Sequence, residues 1–560
     1  MMDTHNALAP MLNLYPDSMG GTLKEIAAFL DSEKLKDTFG SIYILPSIYN
    51  TDLDRGFSVI DYNINKLFAT KADLEKLKEL GLDLKLDFIL NHASVLSPQF
   101  QDLLKHGQQS KYKDFFINWN EFWDGCGEMT ADGYIQPKKE YLDKMFFRKP
   151  GLPILMVRMP DGTKVPYWNT FYQKVIYAPV DAQDLLQQLG MQYTSAEKLA
   201  QLVNEQLEKG ISPEKMDLGR WKDRQQELCA YLDTRCKYLG QMDLNLRSPL
   251  VWDFYKDTLQ KLAGYGAAII RLDAFAYAPK APGRHNFMNE PETWDTLEEV
   301  RKLAEPYGLT LLPEIHASYA EKIYEKVAGY RYLTYDFFLP GLLIDAIEQK
   351  NGTTLAGWAN ELIQKHIGTV NMLGCHDGIP LLDLRGLLPE ERIMGLIDLI
   401  VARGGFVKNL HGQKNVYYQV NATYYSALGE DDRKMLVARA IQLFMPGKPQ
   451  VWYLDLFVGK NDHEAVAKAG DGGHKEINRT NLTAVQVQDA LSKNVVKKQI
   501  ELLRFRKACK AFTKDAKITA DARGTQMQFV WYGSETAELL VDFSDMSYQV
   551  KENGMVVLQG

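Results

Sequence analysis

The stretch "AAIIRLDAFAYAPK", Ala267 to Lys280, starts as an apolar run and finishes in charge. In an extended strand successive side chains point to opposite faces, so Arg271 and Asp273 share one face while Ile270 and Leu272 occupy the other. An isolated Arg–Asp pair at a strand end reads first as a structural ion pair of little energetic weight. Its meaning depends on the fold around it, and seven similar runs define that fold. "APMLNLY" from Ala9, "SIYILPS" from Ser41, "DLKLDFILNH" from Asp83, "LTLLPEIH" from Leu309, "YLTYDFF" from Tyr332, "TVNMLGCHD" from Thr369 and "KPQVWYLDL" from Lys448 are short apolar segments, most of them preceded by helical periodicity. "KADLEKLKELG" and "WDTLEEVRKLAEPYG" are two such helices, each closed by glycine. Eight strands alternating with helices predict an α/β chain folded as a (β/α)8 TIM barrel, whose active site lies at the C-terminal ends of its strands.

Those ends carry the chemistry. The third strand finishes in Asp87, Asn91 and His92, the fourth in Arg271 and Asp273, the fifth in Glu314 and His316, the seventh in His376 and Asp377. A structural network explains one or two such clusters. Carboxylates, histidines and an arginine gathered around one rim are costly to desolvate without a use.

Composition sets the frame. With 560 residues, of which 46% are hydrophobic, the chain can bury a large core and more than one domain. A net charge of -7 without a long basic stripe implies neither nucleic acid nor an anionic membrane as partner. The first residues lack a basic segment followed by an apolar core, which predicts a cytoplasmic protein. Five cysteines without a CxxC pair read as reduced thiols rather than a disulfide framework or a zinc site. No P-loop, dinucleotide turn, HExxH or EF-hand loop is present, so neither cofactor nor metal is expected.

The segments "DFILNH", "IIRLDAFAY", "LLPEIH" and "LGCHDGI" resemble, in order, the four conserved segments of the α-amylase superfamily. "RGFSVIDY", "NFMNEPETW", "YDFFLPGLL", "HDGIPLLDLRGLLP", "YYQVNATYYSALG", "PGKPQVWYLDLFVGKND" and "EINRTNL" resemble its sucrose phosphorylase group. The resemblance spans nearly the whole chain. It implies a retaining glycoside phosphorylase, most simply one converting sucrose and phosphate to α-glucose 1-phosphate and fructose, with sucrose 6-phosphate, glucosylglycerol or glucosylglycerate as alternative donors. A retaining α-glucosidase or transglucosidase would use the same residues.

Residue by residue, the resemblance implies Asp273 as nucleophile, Glu314 as general acid/base and Asp377 as transition-state stabiliser. Arg271 would keep Asp273 ionised, and Glu314 would sit in surroundings that raise its pKa. His92, His376 and Gln241 match positions contacting the glucosyl ring, Asp54 and Arg479 the pair holding its far hydroxyls, and Phe57 and Phe171 its apolar walls. Tyr418 and Gln419 match acceptor-side residues, although Val416 replaces an acidic residue of the pattern. Arg148 and Lys149 are candidates for phosphate.

The expected domains are barrel over 1–92, a small inserted domain over 93–170, a helical insertion over 171–240, barrel with acceptor loops over 241–508, and an antiparallel β-domain over 509–560. The insertion departs and returns beside two pocket residues, so it reads either as decoration or as a lid or subunit contact, and a homodimer is one expected arrangement.

Overall fold

The computed structural model describes residues 7–148, 151–409, 417–470 and 473–560. Its centre is an eight-stranded parallel sheet: β1 (Met11–Leu14), β2 (Ser41–Ile44), β3 (Asp83–Ile89), β4 (Ala267–Asp273), β5 (Thr310–Pro313), β6 (Thr334–Asp336), β7 (Thr369–Met372) and β8 (Lys448–Trp452). The strands are neighbours in the order β5-β4-β3-β2-β1-β8-β7-β6, the sequence of a barrel read around its wall. All eight expected strands are present, and each apolar run is buried on both faces as a parallel strand under helices must be. Register then places the chemistry. Arg271 of β4 lies opposite Asp87 of β3, and Leu272 opposite Pro313 of β5, which brings Glu314, the residue after Pro313, level with Asp273.

The connecting helices follow from local sequence. Thr70 and Asp73 form a reciprocal capping box at the start of Lys71–Glu79, and Leu74 and Leu77 bury its inner face. Glu292–Ala304 precedes β5 and buries Trp294, Leu297 and Val300. Among the described residues no helix is long and apolar enough to cross a membrane.

Between β3 and β4 the chain leaves the barrel. Residues 93–170 build hairpins such as Ile154–Arg158 with Lys164–Trp168, over a separate core of Ile117, Trp119, Trp123, Ile135, Met145 and Trp168. The following segment holds helices α1 (Ala182–Leu189), α2 (Tyr193–Glu208) and α3 (Gln225–Asp233). Their apolar stripes meet in another core of their own, including Leu185, Leu199, Val203, Leu228 and Leu232. The helical expectation for 171–240 is corrected at its two ends, where strands stand instead. Cys236–Asp243 is a strand, antiparallel to Gln173–Tyr177 with Tyr177 opposite Cys236, because cross-strand pairing overrides the run's weak helical spacing. The helices therefore hang from the tip of a hairpin. At the C-terminus β9 (Lys517–Arg523), β10 (Gln526–Tyr532), β11 (Thr536–Asp542), β12 (Ser547–Glu552) and β13 (Met555–Gln559) form one antiparallel sheet.

Candidate active site

Arg271 organises the floor of the site. Its Nη1 donates to Asp87 Oδ1 at 2.5 Å and to Asp273 Oδ1 at 2.9 Å, while Nη2 lies 2.6 Å from Glu314 Oε1. Three carboxylates thus share one guanidinium whose side chain is 3% exposed. Tyr43 supports the cluster from below by donating to Asp87 at 3.0 Å. The cation also faces the Phe57 ring, 5.4 Å from its centroid.

The charge distribution departs from the expectation. Burial raises the Asp273 carboxyl well above its usual range; Arg271 opposes this, but Glu314, Asp87 and Asp377 push it further up. Arg271 favours the carboxylate form of Asp273 while being shared with Asp87 and Glu314. Burial also raises Glu314, yet Arg271 and then His316 outweigh it and hold that carboxyl at about 2. Burial and the Asp377 anion thus act on Glu314 in the expected upward direction, and the Arg271 and His316 beside it act against them. Asp377 lies well below the carboxylate range, since burial is overcome by His376, Lys475 and Arg479.

The loops after the strands supply the walls. Phe57 stacks on His376 with centroids 4.9 Å apart and planes 10° apart. His376 Nε2 lies 3.2 Å from Asp377 Oδ2. Arg479, buried behind the pocket, donates from Nε to the His376 carbonyl at 2.9 Å, and its Nη1 and Nη2 each stand 3.6 Å from Asp54 and Asp377 respectively. His92 Nε2 faces the Phe57 carbonyl at 2.9 Å and Gln241 Nε2 at 3.2 Å. Phe171 closes the opposite wall against His92 and Tyr277.

Backbone conformation aims several of these groups. Asp54, Arg55 and Ala274 all have positive φ without being glycine, a strain that functional sites concentrate. Gly56 must be glycine, because a Cβ there would meet Ser47 N at 2.3 Å. Gly378 is required in the same way: its φ is +101°, and a Cβ would stand 2.5 Å from Val420 O.

One pocket gathers Asp54, Phe57, His92, Phe171, Gln241, Asp273, Glu314, His376, Asp377 and Gln419. Arg148 also lines it, donating to the Tyr277 hydroxyl at 3.3 Å with its guanidinium over Phe171. Lys149, Val416 and the Tyr418 side chain lie outside the described residues. Sequence reasoning missed Lys475, which lines the pocket and donates to Asp377 Oδ1 at 2.6 Å. Its signal was its place four residues before Arg479, one helical turn away in "KEINR". It also missed Tyr277 and Phe287, packed at 4.6 Å as part of the same wall. Chemically the pocket offers two carboxylates on one cation, a third anion opposite, and aromatic faces: the elements of retaining glycosyl transfer.

A family model for the α-amylase catalytic domain matches residues 15–137. Over 539 residues, 95% of the chain and 92% of the relative, the sequence is 49% identical to the sucrose 6(F)-phosphate phosphorylase of Ilumatobacter coccineus. It is 30% identical to the sucrose phosphorylase of Streptococcus mutans, covering 98% of each. The crystal structure of sucrose 6F-phosphate phosphorylase from Thermoanaerobacter thermosaccharolyticum superposes with a TM-score of 0.80 at 31% identity, covering 100% of this chain and 98% of that one.

Proposed function

Because the chain belongs to the sucrose phosphorylase family of the α-amylase superfamily, we propose that it is a retaining α-glucoside phosphorylase whose donor is sucrose phosphorylated on the fructosyl C6. Asp273 attacks the anomeric carbon while Glu314 protonates the departing oxygen, leaving a β-glucosyl ester. Phosphate then attacks the same carbon, releasing α-glucose 1-phosphate and freeing Asp273, so two inversions retain configuration. Asp377, held anionic by Lys475 and Arg479, faces the positive charge that develops on the ring. The observation that carries the reaction is the placement of Asp273 and Glu314 on one guanidinium at adjacent strand ends.

The donor reading rests on charge. The acceptor stretch from Phe406 to Gln419 contains Lys408, His411 and Lys414 and no carboxylate, with Val416 where the sucrose phosphorylase pattern has an acid. A phosphorylated leaving group needs cations and the absence of that acid, whereas unmodified fructose does not. Sucrose itself is the second reading, favoured by the relationship to the Streptococcus mutans enzyme.

The two are separated by measuring glucose 1-phosphate from sucrose and from sucrose 6F-phosphate at equal phosphate. The expected result is a kcat/KM for the phosphorylated donor about tenfold or more above that for sucrose. A preference for sucrose overturns the donor assignment. Hydrolysis insensitive to added phosphate overturns the phosphorylase reading. Arg148→Ala should raise KM for phosphate while glucosylation from the donor proceeds nearly unchanged.

A further inference from the structure

Resting on that reading, the pocket holds one glucosyl group while its glycosidic bond is exchanged, and a cation on its wall has so far been given no contact with that sugar. Lys475 lies in the turn Gly473–Asn478, C-terminal to β8, and lines the pocket with its side chain 30% exposed. Its Nζ donates to Asp377 Oδ1 at 2.6 Å. The turn is pinned at its end. Asn478 Nδ2 donates to the Cys375 carbonyl at 2.6 Å, Trp452 Nε1 donates to Asn478 Oδ1 at 3.1 Å, and Ile477 and Asn478 are both buried. Cys375 precedes Asp377 by two residues, so the ammonium and the carboxylate are held on one frame.

The neighbouring cation is placed differently. Arg479 is 2% exposed and no part of the lining; its Nε is spent on the His376 carbonyl, and its Nη1 stands 3.5 Å from Glu476 and 3.6 Å from Asp54. Lys475 carries three N–H donors, of which Asp377 takes one. A hydroxyl seated beside the pair accepts from Nζ and donates to the carboxylate, so that its lone pair and its proton are both used in charge-assisted bonds. The carboxylates on either side fix which hydroxyl this is. Asp377 belongs to the anomeric end, in the field of Asp273 and Glu314, whereas Asp54 stands at the far end beside Arg479. Asp54 is also the next carboxylate after Asp377 in the field of Lys475. Around the ring from the anomeric carbon, the hydroxyl between that on C2, next to the reacting centre, and that on C4, farthest from it, is the one on C3.

We propose that Lys475 is a specificity-determining residue of this pocket, donating from Nζ to the C3 hydroxyl of the bound glucosyl group while that hydroxyl donates to Asp377. A sugar that lacks the hydroxyl leaves the ammonium and the carboxylate each short of a partner in a site closed to most water, and a pocket built this way rejects it. An ion pair that served only to hold Asp377 would act alike on every glucosyl donor, whatever hydroxyls the donor carries. The two roles therefore part on sugars from which single hydroxyls have been removed.

The test measures fluoride release from α-glucosyl fluoride and from its 2-deoxy, 3-deoxy and 4-deoxy analogues, with inorganic phosphate present, in the wild type and in Lys475→Met. In the wild type the 3-deoxy analogue should lose about 10- to 100-fold in kcat/KM relative to the parent fluoride. Lys475→Met should lose about as much on the parent fluoride itself. Its further loss on the 3-deoxy analogue should then be about tenfold smaller than that of the wild type, while the effects of removing the 2- and 4-hydroxyls stay within about threefold of their wild-type values. A 3-deoxy loss undiminished in Lys475→Met overturns the contact and leaves Lys475 as a support for Asp377. A loss that shrinks at the 2- or 4-hydroxyl instead overturns it as well. The wild type alone also decides: acceptance of the 3-deoxy fluoride within about threefold of the parent overturns the contact with no variant needed. Fluoride release indifferent to phosphate overturns the phosphorylase assignment and leaves the contact standing, whereas no release from the parent fluoride overturns both.

Discussion

Arg271 is asked to serve three acids at once, and the consequence is an uneven division of charge. Burial raises both Asp273, the proposed nucleophile, and Glu314, while Arg271 lowers both. Replacing Asp273 with Asn keeps shape but cannot form the ester, so turnover should fall by about a thousandfold or more while the melting temperature holds or rises. Retained turnover would exclude Asp273 as nucleophile. The same charges set a stability window. Glu314 titrates at about 2 in the fold against 4.5 for a free side chain, so its contribution is complete above 4.5 and lost as pH falls toward 2. His316, at about 9 against 6.5, contributes fully below 6.5 and loses that contribution as pH rises through about 9. The wild type should therefore outlast Glu314→Gln most clearly between these limits, with melting temperatures converging in acid. A gap that stays constant down to the acid limit would show that Glu314 is not held by its charge.

At the scale of elements, the eight barrel strands were legible because each is a short apolar run bounded by turns, and their ends were legible because charge follows each run. The insertion was legible as helical from the spacing of Leu185, Leu189, Leu199 and Val203, all buried in its core. Its attachment was not, since "CKYLG" pairs only with residues some sixty positions earlier, a contact that no local pattern records. Lys475 escaped for a related reason: its partner Asp377 is 98 residues away. The hairpin makes the role of the insertion testable. Tyr177 and Cys236 are direct cross-strand partners, so residues 178–235 can be replaced by Asn-Gly, which favours a two-residue hairpin turn. The excision removes the ion pairs of Lys164 with Asp233 at 2.7 Å and Glu214 at 3.6 Å and the hydrogen bond from Arg158 Nη1 to the Ala230 carbonyl, but no residue of the pocket lining. The shortened enzyme should fold and keep kcat/KM within about threefold. A drop of about tenfold or more would make the insertion part of the site, as a lid, rather than decoration.

At the scale of the whole molecule, a dense contact around Trp531 joins the barrel to the C-terminal sheet, beside others such as Asn360 Nδ2 donating to the Ala520 carbonyl at 2.8 Å. Trp531 of β10 donates from its indole nitrogen to the Phe444 carbonyl at 2.8 Å, and its ring packs on Phe512 at 5.2 Å. Arg506 is buried between them, its guanidinium 4.0 Å from the Phe512 centroid and 4.7 Å from that of Trp531. It donates to the carbonyls of Leu443 and Gly447, each at 2.8 Å. Burial lowers its pKa to about 9, so the cation is kept by these carbonyls and ring faces rather than by a carboxylate. Trp531→Ala removes a fully buried indole, opens a cavity and strands the Phe444 carbonyl, a loss of about 3 to 5 kcal/mol. The first thermal transition should fall by roughly 5 °C or more. No residue of this contact lines the pocket, so kcat/KM measured well below that transition should stay within about twofold of the wild type. Lost activity with an unchanged transition would mean that the sheet acts on the site directly, and the separation of support from chemistry along the barrel axis would have to be abandoned.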